Sequence, residues 1–381
     1  MTQVPERFPH NDIISLTSAP VRYDLAESIG PNLKLGDMLD DEMRAELDDL
    51  DLAYGSARGS EVLRRLIGER HGVDGDDVIT TVGGMQALFL IAFILCEAGD
   101  DVLIASPGFP NTRTVLDAVR VHAVELPISF DDGYRISIER LCSKLTANTR
   151  LLILASPQNP SGVALTASDI RSVLASMDEI CPDAFLLIDE TYREAAYGDA
   201  EVRPSLLHLD RRIVSSASLS KCHGAPGVRT GWAITRHEGL RGQLMLGKFN
   251  TTIANSLVDD ALAILIMRDS ERILADRRRL LHAGLQRISA FVERHAELVE
   301  WVRPDAGALC CLRLKHSAFD QAAVERFYAA LADCSTRVGH GSWFGEDARV
   351  FRLGFGLLPM PDLDEALSRV SRSMTLAYSR A

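Results

Sequence analysis

Short, continuously apolar segments alternate with longer helical stretches through the first two-thirds of the chain. Asp101–Ala105, Leu151–Ala155, Ala184–Ile188 and Ile213–Ala217 are each read as a strand of mostly apolar or small residues. A strand that is apolar on consecutive positions is buried on both faces, which predicts a mostly parallel sheet sandwiched between helices. Each strand ends abruptly in a turn-forming or polar cluster: Ser106-Pro107-Gly108-Phe109-Pro110, Ser156-Pro157-Gln158-Asn159-Pro160, Asp189-Glu190-Thr191-Tyr192 and Ser218-Leu219-Ser220-Lys221. Open parallel sheets bind ligands beyond the carboxyl ends of their strands, so these four clusters predict one shared site.

The apolar run Ala87–Cys96 predicts a buried helix starting near Ala87; it is about half the ~20 residues a membrane span requires. From Ser256 to His295 the pattern becomes that of one long helix, apolar at first and then amphipathic and basic, read as a connector. Gly307–Leu314 and Arg349–Phe355 read as further strands. The expected organisation is a large domain over residues 46–265 and a smaller α+β domain over 266–381, which the N-terminal segment 1–45 joins.

Composition narrows the class. The chain has 381 residues, 46% hydrophobic and 25% charged, as in ordinary soluble globular proteins. A net charge of −12 argues against nucleic acid or an anionic membrane as principal partner. The opening MTQVPERFPHND shows no secretory pattern, and the seven cysteines show neither a CxxC pair nor metal-like spacing. The expectation is reduced thiols in a cytoplasm and no metal.

Candidate chemistry centres on Lys221, flanked by Ser218 and Ser220 and followed by Gly227-Val228-Arg229-Thr230-Gly231. A lysine amine forms a Schiff base with an aldehyde cofactor; hydroxyls and a guanidinium hold a phosphate dianion. Gly83-Gly84-Met85-Gln86 stands before the apolar helix, where bare backbone amides and the helix dipole attract phosphate. Asp189, closing a strand, suits either a protonated ring nitrogen or a helix N-cap. Asn159 and Tyr192 can donate to a ring oxygen, and Phe109 can stack on a ring or pack in the core. Arg352, within an apolar strand, calls for a carboxylate: a substrate's, or one in an internal salt bridge. Cys222 and His223, beside the lysine, are read as packing residues.

In this order the motifs resemble fold-type I pyridoxal 5′-phosphate enzymes of the class I/II aminotransferase family. The resemblance runs from Tyr54, Gly59 and Leu63-Arg64 through Gly83-Gly84-Met85-Gln86-Ala87, Asn159-Pro160-Ser161-Gly162, Asp189-Glu190-Thr191-Tyr192 and Ser218-x-Ser220-Lys221 to Gly227-x-Arg229-x-Gly231 and Arg352. It implies a Schiff base and proton shuttle at Lys221, with Asp189 on the pyridinium and Asn159 and Tyr192 at the phenolic oxygen. Phe109 would stack on the ring. Gly83, Gly84, Met85, Ser218, Ser220 and Arg229 would hold the phosphate. It further implies a homodimer in which Tyr54 reaches the partner's phosphate, and a substrate carboxylate at Arg352 beside Asn159, Glu27 and Gly30.

The expected reaction is transamination between an L-amino acid and a keto acid. Elimination, replacement and cyclisation use the same residues and remain the alternative. The segment Tyr23–Asn32 departs from the usual glycine-rich opening and resembles that of specialised-metabolism relatives acting on arginine-derived amino acids. In arginine oxidases a histidine follows the acidic residue by two positions; Ile29 stands there, which counts against oxidation. Glu27 suits a cationic substrate group, or equally an exposed carboxylate or helix cap. A cofactor-binding regulator is disfavoured because the core motifs begin as early as Tyr54.

Overall fold

The computed structural model describes residues 6–378. Its strands are β1 (Tyr23–Leu25), β2 (Val78–Val82), β3 (Asp101–Ser106), β4 (His122–Pro127), β5 (Thr149–Ala155), β6 (Phe185–Asp189), β7 (Ile213–Ser218), β8 (Thr230–Thr235), β9 (Val299–Val302), β10 (Leu309–Leu314), β11 (Thr336–His340) and β12 (Val350–Gly354).

Seven strands form one sheet in the order β2-β8-β7-β6-β5-β3-β4. All neighbours pair in parallel except β8, which is antiparallel to both β2 and β7. The mostly parallel, helix-covered sheet expected from the strand composition is therefore present. Its two faces bury separate apolar clusters, one around Leu103, Leu152, Leu186 and Ile213 and the other around Val102, Leu151, Leu187 and Val214. Consecutive residues of one strand point to opposite faces, which is why these strands read as unbroken apolar runs.

Two expectations from the sequence need correction. The apolar helix begins at Gly83, not near Ala87. Gly83 has φ +70°, a conformation open to glycine, and the chain turns there directly from β2 into the helix. The predicted single helix over 256–295 is two, Leu257–Arg268 and Ser270–Arg294, parted at Asp269. There Asp269 accepts from the Arg272 guanidinium, and the Ser270 hydroxyl bonds back to the Ile266 carbonyl at 3.1 Å. Such competition with the helical ladder bends helices.

The second sheet has the order β1-β11-β12-β10-β9. Its first strand, from the N-terminal segment, pairs in parallel with β11. A third apolar cluster, including Leu25, Leu285, Leu312, Phe327, Phe351 and Val370, lies under this sheet. Glycines on and after β12 let the N-terminal chain cross it closely: a Cβ at Gly354 would strike the Glu27 carbonyl, and one at Gly356 would lie 2.8 Å from the Ile29 carbonyl. Among the described residues no helix is long and apolar enough to cross a membrane.

Candidate active site

The carboxyl ends of β3, β5, β6 and β7 open into a cavity of about 790 Å³. Its wall includes Glu27, Gly84, Met85, Phe109, Asn159, Asp189, Tyr192, Ser218, Ser220, Lys221, Arg229 and Arg352. Three residues singled out in the sequence do not line it. Gly83 lies behind the Arg229 guanidinium, Gly30 lies against Arg277, and Tyr54 stands 83% exposed on the outer surface.

Lys221 follows β7 in the turn that leads to β8. Its amine donates to the Ser28 hydroxyl at 3.5 Å. Burial lowers its pKa to about 8, opposed by Glu27 and Asp189 and assisted by Arg352 and Arg229. A neutral amine is the nucleophile a carbonyl requires, so this environment activates Lys221 near neutrality. A second buried lysine, Lys248, is also lowered to about 8 by burial, but it donates to Thr80 at 3.2 Å and lies outside the cavity wall.

Asp189 is the last residue of β6. Its Oδ1 accepts from the Thr191 amide at 3.0 Å and the Thr191 hydroxyl at 2.5 Å. No hydrogen bond from a described residue reaches Oδ2, and burial raises the carboxyl pKa. An enclosed carboxylate with one oxygen satisfied and the other open wants a charged donor from the cavity.

The helix starting at Gly83 has no side-chain cap, so the first-turn amides beside Gly84 and Met85 lack the partner a cap supplies. A Cβ on Gly83 would strike Arg229, and one on Gly231 would strike the Gly83 backbone. Ser218, Ser220 and Arg229 share the cavity wall with Gly84 and Met85, and Ser218 lies 4.0 Å from where a Gly84 Cβ would stand. Open amides, two hydroxyls and a guanidinium form a cradle for a dianionic phosphate.

Arg352, on β12, is 2% exposed. Its Nη1 donates to Asn159 Oδ1 at 2.7 Å and its Nη2 to the Ala26 carbonyl, while Nε is buried without a partner. The guanidinium lies 4.6 Å from the centre of the Phe344 ring. No carboxylate of the described residues pairs with it, which removes the internal salt bridge as its explanation. Burying an unpaired cation is costly, and an incoming carboxylate removes that cost. With its oxygen turned to Arg352, Asn159 keeps its amide as a donor.

Sequence reasoning missed Ser28 and the far wall of the cavity. That wall comprises residues between Pro9 and Thr17, with Ser342, Trp343 and Phe344. Asn11 ties it to Asn111 at 2.8 Å. These residues lie far apart in the chain and carry no motif. Cys222 and His223 are buried beside Lys221 but outside the wall, as packing residues should be. Burial takes the Cys222 thiol up to about 12 and His223 down to about 4, leaving both neutral at pH 7.

The buried nucleophilic amine, the open carboxylate and the phosphate cradle fit pyridoxal 5′-phosphate, and fold and site together define an enzyme that uses this cofactor. The model of the family "Aminotransferase class I and II" matches residues 23–370, and the chain belongs to that family. An arginine–pyruvate transaminase of Pseudomonas aeruginosa is 32% identical over 190 residues, 48% of this chain and 47% of that protein. Capreomycidine synthase of Streptomyces vinaceus is 26% identical over 341 residues, 86% of this chain and 82% of that protein. The fold matches a PLP-dependent aminotransferase of Streptococcus suis with TM-score 0.87 at 21% identity, covering 98% and 99% of the two chains.

Proposed function

We propose that the protein is an aminotransferase that moves the amino group of an L-amino acid with a cationic side chain to a keto acid. The observation that carries this reading is the meeting of Lys221, Asp189, Tyr192 and Arg352 on one cavity. When bound, the cofactor supplies a conjugated ring that accepts electron density from the amino acid's α-carbon. Lys221 would hold the cofactor through its amine and, once free, would move the proton at the substrate's α-carbon. Asp189 pairs with the ring nitrogen, Asn159 and Tyr192 contact the ring oxygen, and Phe109 stacks on the ring face. Gly84, Met85, Ser218, Ser220 and Arg229 hold the phosphate, with Gly83 supplying the turn behind Arg229. Arg352 takes the substrate α-carboxylate, with Asn159 beside it; Gly30, packed against Arg277, does not reach it.

Glu27 supports the cationic side chain. It lines the cavity, and no hydrogen bond or ion pair from the described residues occupies its carboxylate. Arg113 on the same wall is already paired with Glu125 at 3.0 Å and Asp117 at 3.5 Å. Incubation with arginine and pyruvate should release the arginine-derived keto acid and an equal amount of alanine. A cyclic or eliminated product without alanine from a hydroxylated arginine, whose hydroxyl can leave as water, would establish instead the second reading, cyclisation or elimination, which the long match to capreomycidine synthase favours.

The active form is read as a homodimer. Phe93, Leu246, Phe249 and Val258 are exposed on the helices Gly83–Leu95, Glu238–Thr252 and Leu257–Arg268, as is Ile253 just after the second. Gln86 ties the first two together through Thr251 and Thr252, and Gly55, next to Tyr54, sits against Ala254 and Leu257. A continuous apolar face beside an outward tyrosine suits a second copy of the chain, with Tyr54 reaching the partner's phosphate. The separate apolar clusters suit a large unit and a small one that Tyr23 and Leu25 of the N-terminal segment join, although Ile266, Met267 and Ile273 pack with the large unit, past the expected boundary at 265. Seven unpaired cysteines, two of them adjacent at Cys310 and Cys311, suit a reducing cytoplasm.

A further inference from the structure

We infer that Ser28 is a positioning residue that holds the free Lys221 amine and the Tyr192 hydroxyl in register. The inference rests on the roles proposed above for Lys221 and Tyr192. Ser28 is 2% exposed. Its Oγ lies 2.7 Å from the Tyr192 hydroxyl and accepts from the Lys221 amine at 3.5 Å. One hydroxyl has one donor and two acceptor sites, enough to engage both groups at once. With the Lys221 amine donating, the Ser28 proton is free to point at Tyr192.

The backbone carrying Ser28 is held on both sides. Asp24 accepts from the Ala26 amide at 2.9 Å and pairs with Arg337, and Arg352 donates to the Ala26 carbonyl. Behind the segment, Gly354 and Gly356 leave room for the Glu27 and Ile29 carbonyls. The hydroxyl is thus presented by a fixed main chain, not by a mobile loop side chain, as a positioning role requires.

A proton donated by Ser28 to the Tyr192 oxygen makes the phenol a better donor, because chained hydrogen bonds polarise one another. It also gives the released amine a defined resting place while substrate occupies the cofactor. The charged and titratable groups around this pair are Glu27, Asp189, Arg229 and Arg352 at Lys221, and Arg352, Asp189 and Cys222 at Tyr192. Ser28 is the uncharged group that touches both.

The test compares Ser28→Ala and Ser28→Thr with the wild type by three readings. These are the pH midpoint of the bound cofactor's visible band, the pH profile for capture of added pyridoxal 5′-phosphate by the apo-protein, and the split between kcat and KM. Ser28→Ala should bind the cofactor, raise the band midpoint by about half a unit or more through a weaker Tyr192 donor, and lower kcat at least about tenfold with KM little changed. Ser28→Thr keeps a hydroxyl and should restore the wild-type midpoint. If Ser28→Ala does not fold, the near-isosteric Ser28→Cys, a weak donor, should give the same shifts. Unchanged midpoint, capture profile and kcat in a folded Ala or Cys variant would overturn the inference, as would failure of a folded Ser28→Thr to restore the midpoint. Lys221→Ala runs alongside: if it keeps the band and the turnover, the underlying assignment of Lys221 fails, an outcome distinct from a silent Ser28.

Discussion

At the scale of single residues, the site is a set of groups each missing one partner. Asp189 has an open oxygen, Arg352 has no anion, and Lys221 sits without a paired carboxylate. Buried polar groups are normally satisfied, and Arg352, with Nε unpartnered, calls for an anion from the cavity. Two predictions follow from these groups. Capture of pyridoxal 5′-phosphate by the apo-protein needs the neutral amine; its rate should rise with pH through about 8, not through the ordinary lysine value of 10.5. Burial is the main cause, so a midpoint near 10.5 would mean that Lys221 is solvated. Arg352→Lys replaces a two-pronged donor by a point charge. Losing one charge-assisted bond of about 1.5–3 kcal/mol should raise KM for the amino acid roughly 10- to 150-fold, with a smaller change in kcat, read from steady-state kinetics.

The places of Lys221, Asp189, Arg229 and Gly84 on one cavity were legible in the sequence because a strand end or a glycine turn fixes where each must go. Ser28 was not. Its hydroxyl reaches Lys221 and Tyr192 only because β1 pairs with β11, residues more than 300 positions away, and local pattern carries no trace of that pairing. Arg352 left two explanations open until β12 was seen to offer it no carboxylate.

At the scale of elements, the four central strands were readable as apolar runs, while β8 and β2 were not. β8 (Thr230-Gly231-Trp232-Ala233-Ile234-Thr235) follows the glycine turn after Lys221 and reads as its continuation. The split at Asp269 was hidden because both flanking segments have helical periodicity. β12 carries Arg352, the proposed carboxylate site, and the close crossing at Gly354. Gly354→Ala would push its Cβ into the Glu27 carbonyl. Overpacking of this kind costs about 1–3 kcal/mol and should displace the Ala26–Ile29 segment. Thermal unfolding should report the lost stability, and KM for a cationic amino acid should rise more than KM for alanine. Equal rises for both substrates would show that Glu27 does not read the side chain.

At the scale of the whole molecule, two sheets with separate cores place β6 and β7 opposite β12, so the cavity is built by both. The exposed apolar face around Phe93 and Phe249 and the outward Tyr54 remain unused within one chain. Phe249→Glu should shift the protein toward monomer in sedimentation velocity and weaken retention of the cofactor, since the partner's tyrosine is then lost. A monomeric wild type with full activity would remove Tyr54 from the site.

The most direct test of the account is to reduce the holoenzyme with borohydride and map the pyridoxyl phosphate by peptide mass spectrometry. Two lysines have amines lowered to about 8, the half-buried Lys221 at the cavity and the buried Lys248 outside it. The account predicts the label on the Lys221 peptide and none on the Lys248 peptide. A label on Lys248, or none on either, would contradict it.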